Sequence, residues 1–286
     1  MIWCCSTLRT SPSACSERTR LSECRMADAI TSLQNPRIKQ VRRLRDHRAR
    51  VEENRYVIDS RRDLARALAA GHQVDYVLIE SSRFETLSDV SIDAQIPVSA
   101  QALDKASYRD NNDGIAAVMM RQAIPGAAEF LRIGRVPVLA LAAIEKPGNV
   151  GALLRTADAA GFGSVVLIDC PIDVYNPNVI RASTGAVFLG NVYEMTTAQA
   201  QDAFSTRGLR TYATHLDAAT DAFSVQFVKD SVLLMGQEDI GLPEAWLAFA
   251  DERIIIPMAG KIADSLNVAA AGAVLMFEMY RQTRNQ

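Results

Sequence analysis

Ile256-Pro257-Met258-Ala259-Gly260-Lys261-Ile262-Ala263-Asp264-Ser265-Leu266-Asn267-Val268 decides how the rest of the chain is read. The β-branched run Arg253-Ile254-Ile255-Ile256 predicts a buried strand that Pro257 stops. A loop with Gly260 follows. Ser265-Leu266-Asn267 then opens a segment whose apolar residues (Val268, Ala271, Val274, Leu275, Met279) recur at helical spacing, which predicts a helix over 265–281. Ser or Asn ahead of such a run is an N-cap signature. Taken alone, the stretch is a strand, a loop and a capped core helix.

Two further stretches change that reading. They are Lys146-Pro147-Gly148-Asn149-Val150-Gly151-Ala152-Leu153-Leu154-Arg155-Thr156-Ala157 and Leu234-Met235-Gly236-Gln237-Glu238-Asp239-Ile240-Gly241-Leu242. With 256–268 they resemble, in order, the three signature motifs of the SpoU (TrmH-type) RNA ribose 2′-O-methyltransferases of the SPOUT superfamily. The resemblance runs over residues 136–283 and takes in Arg181-Ala182-Ser183-Thr184-Gly185-Ala186 and Ala213-Thr214-His215-Leu216. It implies S-adenosylmethionine (SAM) as cofactor, a deep trefoil knot, and a homodimer with the active site at the subunit interface. Nothing in the residues themselves predicts a knot.

Composition is that of an ordinary globular chain: 286 residues, 49% hydrophobic and 22% charged, with a formal net charge of −2. No apolar run reaches the ~18–20 residues of a membrane span. Charge is uneven: residues 1–135 hold 21 Lys/Arg against 17 Asp/Glu, whereas 136–286 hold 10 against 16. A basic front half points to a polyanionic partner, here RNA. Four of the five cysteines fall in the first 24 residues, and the histidines are scattered at 47, 72 and 215. Neither a disulfide framework nor a metal site follows from that spacing, and a reducing cytoplasm fits best.

Four segments are expected. Residues 1–25 lack apolar periodicity and read as a disordered or start-site extension. Residues 26–120 read as a small α/β substrate-binding domain with strands at 74–79, 96–98 and 114–119. Residues 121–135, with Pro125, Gly126 and Gly134, read as a linker. Residues 136–286 alternate strand and helix, which predicts an α/β domain with a mostly parallel sheet covered on both faces. Between Arg37 and Arg66 lie 11 basic residues against 5 acidic. An apolar stripe of Ile38, Val41 and Leu44 leaves Arg42, Arg43, Arg45, Arg48 and Arg50 for exposed helix faces. Guanidinium suits phosphate better than ammonium does, so Arg42, Arg43 and Arg45 are candidate RNA contacts; a solvated helix face is the plainer alternative.

The resemblance assigns the site residues. Asn149, Arg155, Glu238, Ser265 and Asn267 match catalytic positions. Thr214, Gly236, Ile256 and Leu266 match cofactor contacts, and Arg181 and Ser183 shape the substrate side. Asn149 alone reads as an N-cap, Arg155 as a surface arginine, Gly236 as a tight turn and Glu238 as a solvated carboxylate. Arg155 is assigned to gripping a phosphate and polarising the ribose oxygen, since guanidinium is effectively never deprotonated in proteins. The chain has Ala269 where many relatives carry a second serine. Ribosomal RNA is the favoured substrate and transfer RNA the alternative, because 213–216 and 234–241 are close to the transfer-RNA enzymes. Two other classes are a non-catalytic RNA-binding relative and a dinucleotide-dependent oxidoreductase. For the latter, Gly161-Phe162-Gly163 is present, but no Gly-x-Gly-x-x-Gly follows the first strand.

Overall fold

The computed structural model describes residues 29–285 apart from 84–86, 109–111 and 263. The expectation for residues 1–25 therefore lies outside the described residues. The chain builds two sheets. The first has four strands in the order β1-β4-β2-β3, comprising β1 (Arg55–Ile58), β2 (Val74–Glu80), β3 (Gln95–Val98) and β4 (Ile115–Met120). Its helices are α1 (Pro36–Arg43), α2 (His47–Glu53), α3 (Arg61–Ala69) and α4 (Ala100–Ala106). Ile38, Val41 and Leu44 pack with Leu103, Leu78 and Val118 on one face of this sheet.

The second sheet has seven strands in the order β7-β6-β5-β10-β8-β11-β9, and every pairing in it is parallel. The strands are β5 (Val138–Ala142), β6 (Ser164–Ile168), β7 (Val192–Met195), β8 (Arg210–Thr214), β9 (Thr220–Asp221), β10 (Ser231–Met235) and β11 (Glu252–Ile255). Side chains alternate across it. Val138, Ala140 and Ala142 face α5 (Ala127–Ile133), α8 (Thr197–Thr206) and α9 (Glu244–Phe249) through Phe130, Phe204 and Trp246. Leu139 and Leu141 face α6 (Pro147–Ala159), α7 (Pro177–Ser183) and α10 (Val268–Thr283). Burial on both faces is why these strands are continuous apolar runs rather than alternating ones. One apolar cluster runs from Tyr56, Ile58 and Leu64 beside the first sheet to Leu154, Val179 and Phe188 beside the second.

Four expectations change. Residues 121–135 are not a plain linker: α5 lies within them, and Phe130 is fully buried with ring centroids 5.3 Å from Tyr193 and 5.9 Å from Phe204. The basic run is two helices, α1 and α2, and Arg50 is buried rather than on an exposed face, at 1% exposure. The last helix begins at Val268 rather than at 265, with Asn267 as its cap; Asn267 Oδ1 accepts from Ala269 N at 3.0 Å. Asn149 is not a cap, because α6 starts at Pro147 and Lys146 holds the N-cap position.

Candidate active site

The strand order sets the place. From β5 the chain runs outward to β6 and β7, then returns to β8 on the far side of β10. Loops leaving β5, β8, β10 and β11 thus open at the carboxyl ends of neighbouring strands, where open α/β sheets hold ligands. A pocket of about 260 Å³ lies there. Thr214, Gly236, Ile256 and Leu266, the four expected cofactor contacts, all line it.

Gly236 is fixed by space. A Cβ there would stand 2.3 Å from the backbone carbon and oxygen of Gly241. The chain doubles back so tightly because Gln237 and Gly241 exchange backbone hydrogen bonds of 3.1 and 3.0 Å, with Gly241 in the left-handed region at φ +69°. Only a residue without Cβ admits that approach. Thr214 Oγ1 donates to the Leu234 carbonyl at 3.1 Å, tying the end of β8 to β10.

At one end of the pocket Glu238 gathers three donors. Asn149 Nδ2 donates to its Oε1 at 2.6 Å and Asn267 Nδ2 to the same oxygen at 2.7 Å. Lys146 Nζ bonds the other oxygen. Asn267 Nδ2 also lies 3.4 Å from Asn149 Oδ1, so the starts of α6 and α10 meet on one carboxylate. The Lys146 bond is the largest cause holding the Glu238 carboxyl below its ordinary range; the Lys146 charge and Asn149 add to it against burial. Glu238 is therefore ionised at neutral pH and serves as an acceptor that orders the two amides.

The remaining assignments are placed differently. Ser265 lines the pocket and is exposed, with Oγ 3.3 Å from Asp264 Oδ1. Arg155 is exposed on α6, does not line the pocket, and has no hydrogen-bond or ion-pair partner among the described residues. Arg181 is likewise exposed and without a partner among the described residues. Ser183 is fully buried, its hydroxyl donating to the Ile180 carbonyl at 2.9 Å, so it offers substrate no free group. Arg43 pairs with Glu53 at 2.7 Å. Arg45 caps α4, donating to the Ala106 carbonyl at 3.0 Å. Among the three candidate RNA-binding arginines, Arg42 is the one with no partner among the described residues.

The pocket carries its own test of cofactor type. Asp217, Glu238, Asp239 and Asp264 line it, together with His215, and the lining includes no Lys or Arg. Ile256, Leu266 and Leu275 supply apolar walls. Such a pocket suits a flat heteroaromatic group joined to a cationic end, which is the chemistry of SAM. Sequence reasoning missed Asp217, Asp239 and Lys146; the last stands in the first motif but gives no signal apart from its charge.

A carboxylate-lined pocket at the carboxyl ends of β8, β10 and β11, abutting ordered amides, suits a cationic nucleoside cofactor in an α/β protein. Comparison with known proteins narrows this. The SpoU rRNA Methylase family matches residues 137–277, and an MRM3-like substrate binding domain matches residues 35–117. The fold superposes on a crystal structure of an RNA 2′-O ribose methyltransferase with a TM-score of 0.77 and 33% identity, covering 90% of this chain and 100% of that one. It also resembles the AdoMet-bound rRNA methyltransferase of Sinorhizobium meliloti, with a TM-score of 0.78, 27% identity, and coverage of 88% and 97%. In sequence it is 28% identical to the 23S rRNA (guanosine(2553)-2′-O)-methyltransferase RlmP of Bacillus subtilis, over 87% of this chain and 98% of that one. The chain belongs to the SpoU family of SAM-dependent RNA ribose 2′-O-methyltransferases.

Proposed function

We propose that the chain methylates the 2′-hydroxyl of one ribose in ribosomal RNA. The observation that carries this reading is the meeting of the carboxylate-lined pocket with the Asn149–Glu238–Asn267 cluster at the end of the sheet. When bound, SAM supplies an electrophilic methyl group whose transfer to the ribose oxygen breaks its carbon–sulfur bond. The chain's residues do the rest. Pocket walls and strand-end backbone at Thr214, Gly236, Ile256 and Leu266 hold the cofactor. Asn149 and Asn267, ordered by Glu238, orient the ribose, with Ser265 beside them. Arg155 grips the target phosphate and presents donors to the ribose oxygen, whose proton passes to solvent water as the methyl group arrives. Ribosomal RNA is favoured because the match to the B. subtilis rRNA enzyme extends through the first sheet, the part of the chain that carries the basic run. Isothermal titration with SAM tests the pocket: saturable one-to-one binding per chain is expected, and no binding to folded protein would overturn the assignment.

Arg42, exposed on α1, contributes one phosphate contact in this reading. Arg42→Ala should reduce the log–log salt dependence of RNA binding by about one unit while leaving SAM affinity unchanged. An unchanged slope would return α1 to a solvated helix.

The chain works as a homodimer in this reading, in the compartment where its RNA resides. Val274, Phe277 and Tyr280 stand 37%, 47% and 42% exposed along one side of α10, an apolar strip at a helix whose other side is core. Phe277→Glu should raise the dimer dissociation constant about 100-fold, since the lost burial and the buried charge act once per protomer. Light scattering across a dilution series reads this; a dimer as tight as wild type would place the interface elsewhere.

A further inference from the structure

The segment that follows β6, residues 173–188, lies between the two sheets and touches both. On the side of the second sheet, α7 packs so closely on α6 that a Cβ at Gly151 would stand 2.6 Å from the Val179 carbonyl oxygen and the Ala182 Cβ. The helix carrying Asn149 and Arg155 is therefore seated on this segment. On the side of the first sheet, two arginines from different elements and a histidine converge on one carboxylate. Arg50 Nε of α2 donates to Asp173 Oδ2 at 2.6 Å, His47 Nδ1 lies 3.3 Å from the same oxygen, and Arg121, just past β4, reaches Oδ1 at 3.4 Å. The Asp173 side chain is 2% exposed.

The Arg50–Asp173 pair at the centre of this cluster is held on several sides. Arg50 also donates to the Leu44 and Arg45 carbonyls at 3.0 and 2.8 Å, which joins the α1–α2 turn to it. Asp173 Oδ1 accepts from Tyr175 N at 3.0 Å. The Tyr175 ring stacks on Tyr56 of β1 at 4.4 Å between centroids, and its hydroxyl donates to the Gln122 carbonyl at 3.1 Å. Further along, Arg66 of α3 bonds the Thr184 carbonyl, and His72 packs edge-on against Phe188 at 5.0 Å. A buried carboxylate with two arginines is costly to desolvate and is weak support for stability as such. What it supplies is direction: the charge contacts at Asp173 are satisfied in one relative orientation of the two sheets.

We propose that Asp173 is a positioning residue, clamped by Arg50, Arg121 and His47, that fixes the first sheet against the catalytic half so that RNA held on one is delivered to the pocket on the other. The inference rests on the reading of the chain as an RNA methyltransferase. Asp173 touches neither the pocket nor the Glu238 cluster, and acts through α7 and α6. Small misplacements far from the reacting atoms cost about 100-fold in rate. Loosening the clamp should therefore lower the rate of methylation of bound RNA and spare both binding steps.

The test uses the full chain with Asp173→Asn and, as a milder variant, Arg121→Gln. SAM affinity is read by calorimetry, RNA affinity by filter binding, and kcat by methylation at saturating SAM and ribosomal RNA, normalised to the SAM-binding fraction. Asp173→Asn should keep both affinities within about threefold and lose about 10- to 100-fold in kcat. Arg121→Gln should shift kcat the same way by about threefold, since its bond is the longer one. If Asp173→Asn does not fold, Arg121→Gln decides. Wild-type kcat in the SAM-binding fraction of the variants would overturn the proposal and leave Asp173 a purely structural residue. An inactive wild-type protein would instead count against the functional reading itself.

Discussion

Gly236→Ala is expected to weaken SAM binding about 100-fold. The added methyl meets backbone, not a flexible side chain: its position is 2.3 Å from the Gly241 carbon and oxygen and 2.5 Å from Leu242 N. The turn at 236–241 has to open, which breaks the pair of bonds between Gln237 and Gly241. Overpacking of this kind costs about 1–3 kcal/mol, and a clash with rigid backbone belongs at the upper end. At about 1.4 kcal/mol per tenfold, that converts to roughly two orders of magnitude in affinity if the strain falls on the bound form. β10 itself, whose residues Val232 to Met235 are buried on both faces, should still form. Calorimetry on folded protein measures the loss; near-normal affinity would mean that the 236–241 turn does not shape the cofactor site.

The second large effect belongs to Arg155. On α6 the inward positions are filled by Val150, Leu153, Leu154 and Ala157, so the core does not need the arginine. Its exposed guanidinium has no partner among the described residues. Arg155→Ala should accordingly leave the melting temperature and SAM affinity close to wild type. Loss of an electrostatic donor at a reacting oxygen typically costs about 10²–10³-fold in turnover. Arg155→Lys keeps the charge but loses the planar fork, and should resemble the alanine variant more than wild type. Single-turnover methylation with saturating SAM and RNA isolates the step. A near-normal rate in Arg155→Ala would make it an ordinary surface residue.

Much of this architecture is legible in the residues alone. The strand–loop–helix pattern of 253–281 and the alternation after residue 136 imply a parallel sheet, because a strand buried on both faces has to be a continuous apolar run. Thr214, Gly236, Ile256 and Leu266 are singled out by the family resemblance rather than by their residue types, and all four line one pocket. What the sequence hides depends on partners distant in the chain. Arg50 sits in a charge run that reads as solvated; only Asp173, 123 residues later, makes its burial possible. Arg45 looks free to bind phosphate because the α4 carbonyls that hold it lie some 60 residues on. Helix α5 is hidden between Gly126 and Gly134, which bracket it and read as linker glycines. The start of the last helix at Val268 rather than 265 has a local cause: Asn267 is held at Glu238 by its amide nitrogen, and its oxygen accepts from Ala269 N.

The most direct measurement of the central claim is transfer of a radiolabelled methyl group. Purified protein is incubated with methyl-labelled SAM and, separately, unmodified ribosomal RNA and transfer RNA, and each RNA is digested to nucleosides. Label is expected in a single 2′-O-methylnucleoside from ribosomal RNA, and it should be lost in Arg155→Ala. Label on a base, label in transfer RNA alone, or no label with SAM-competent protein would contradict it.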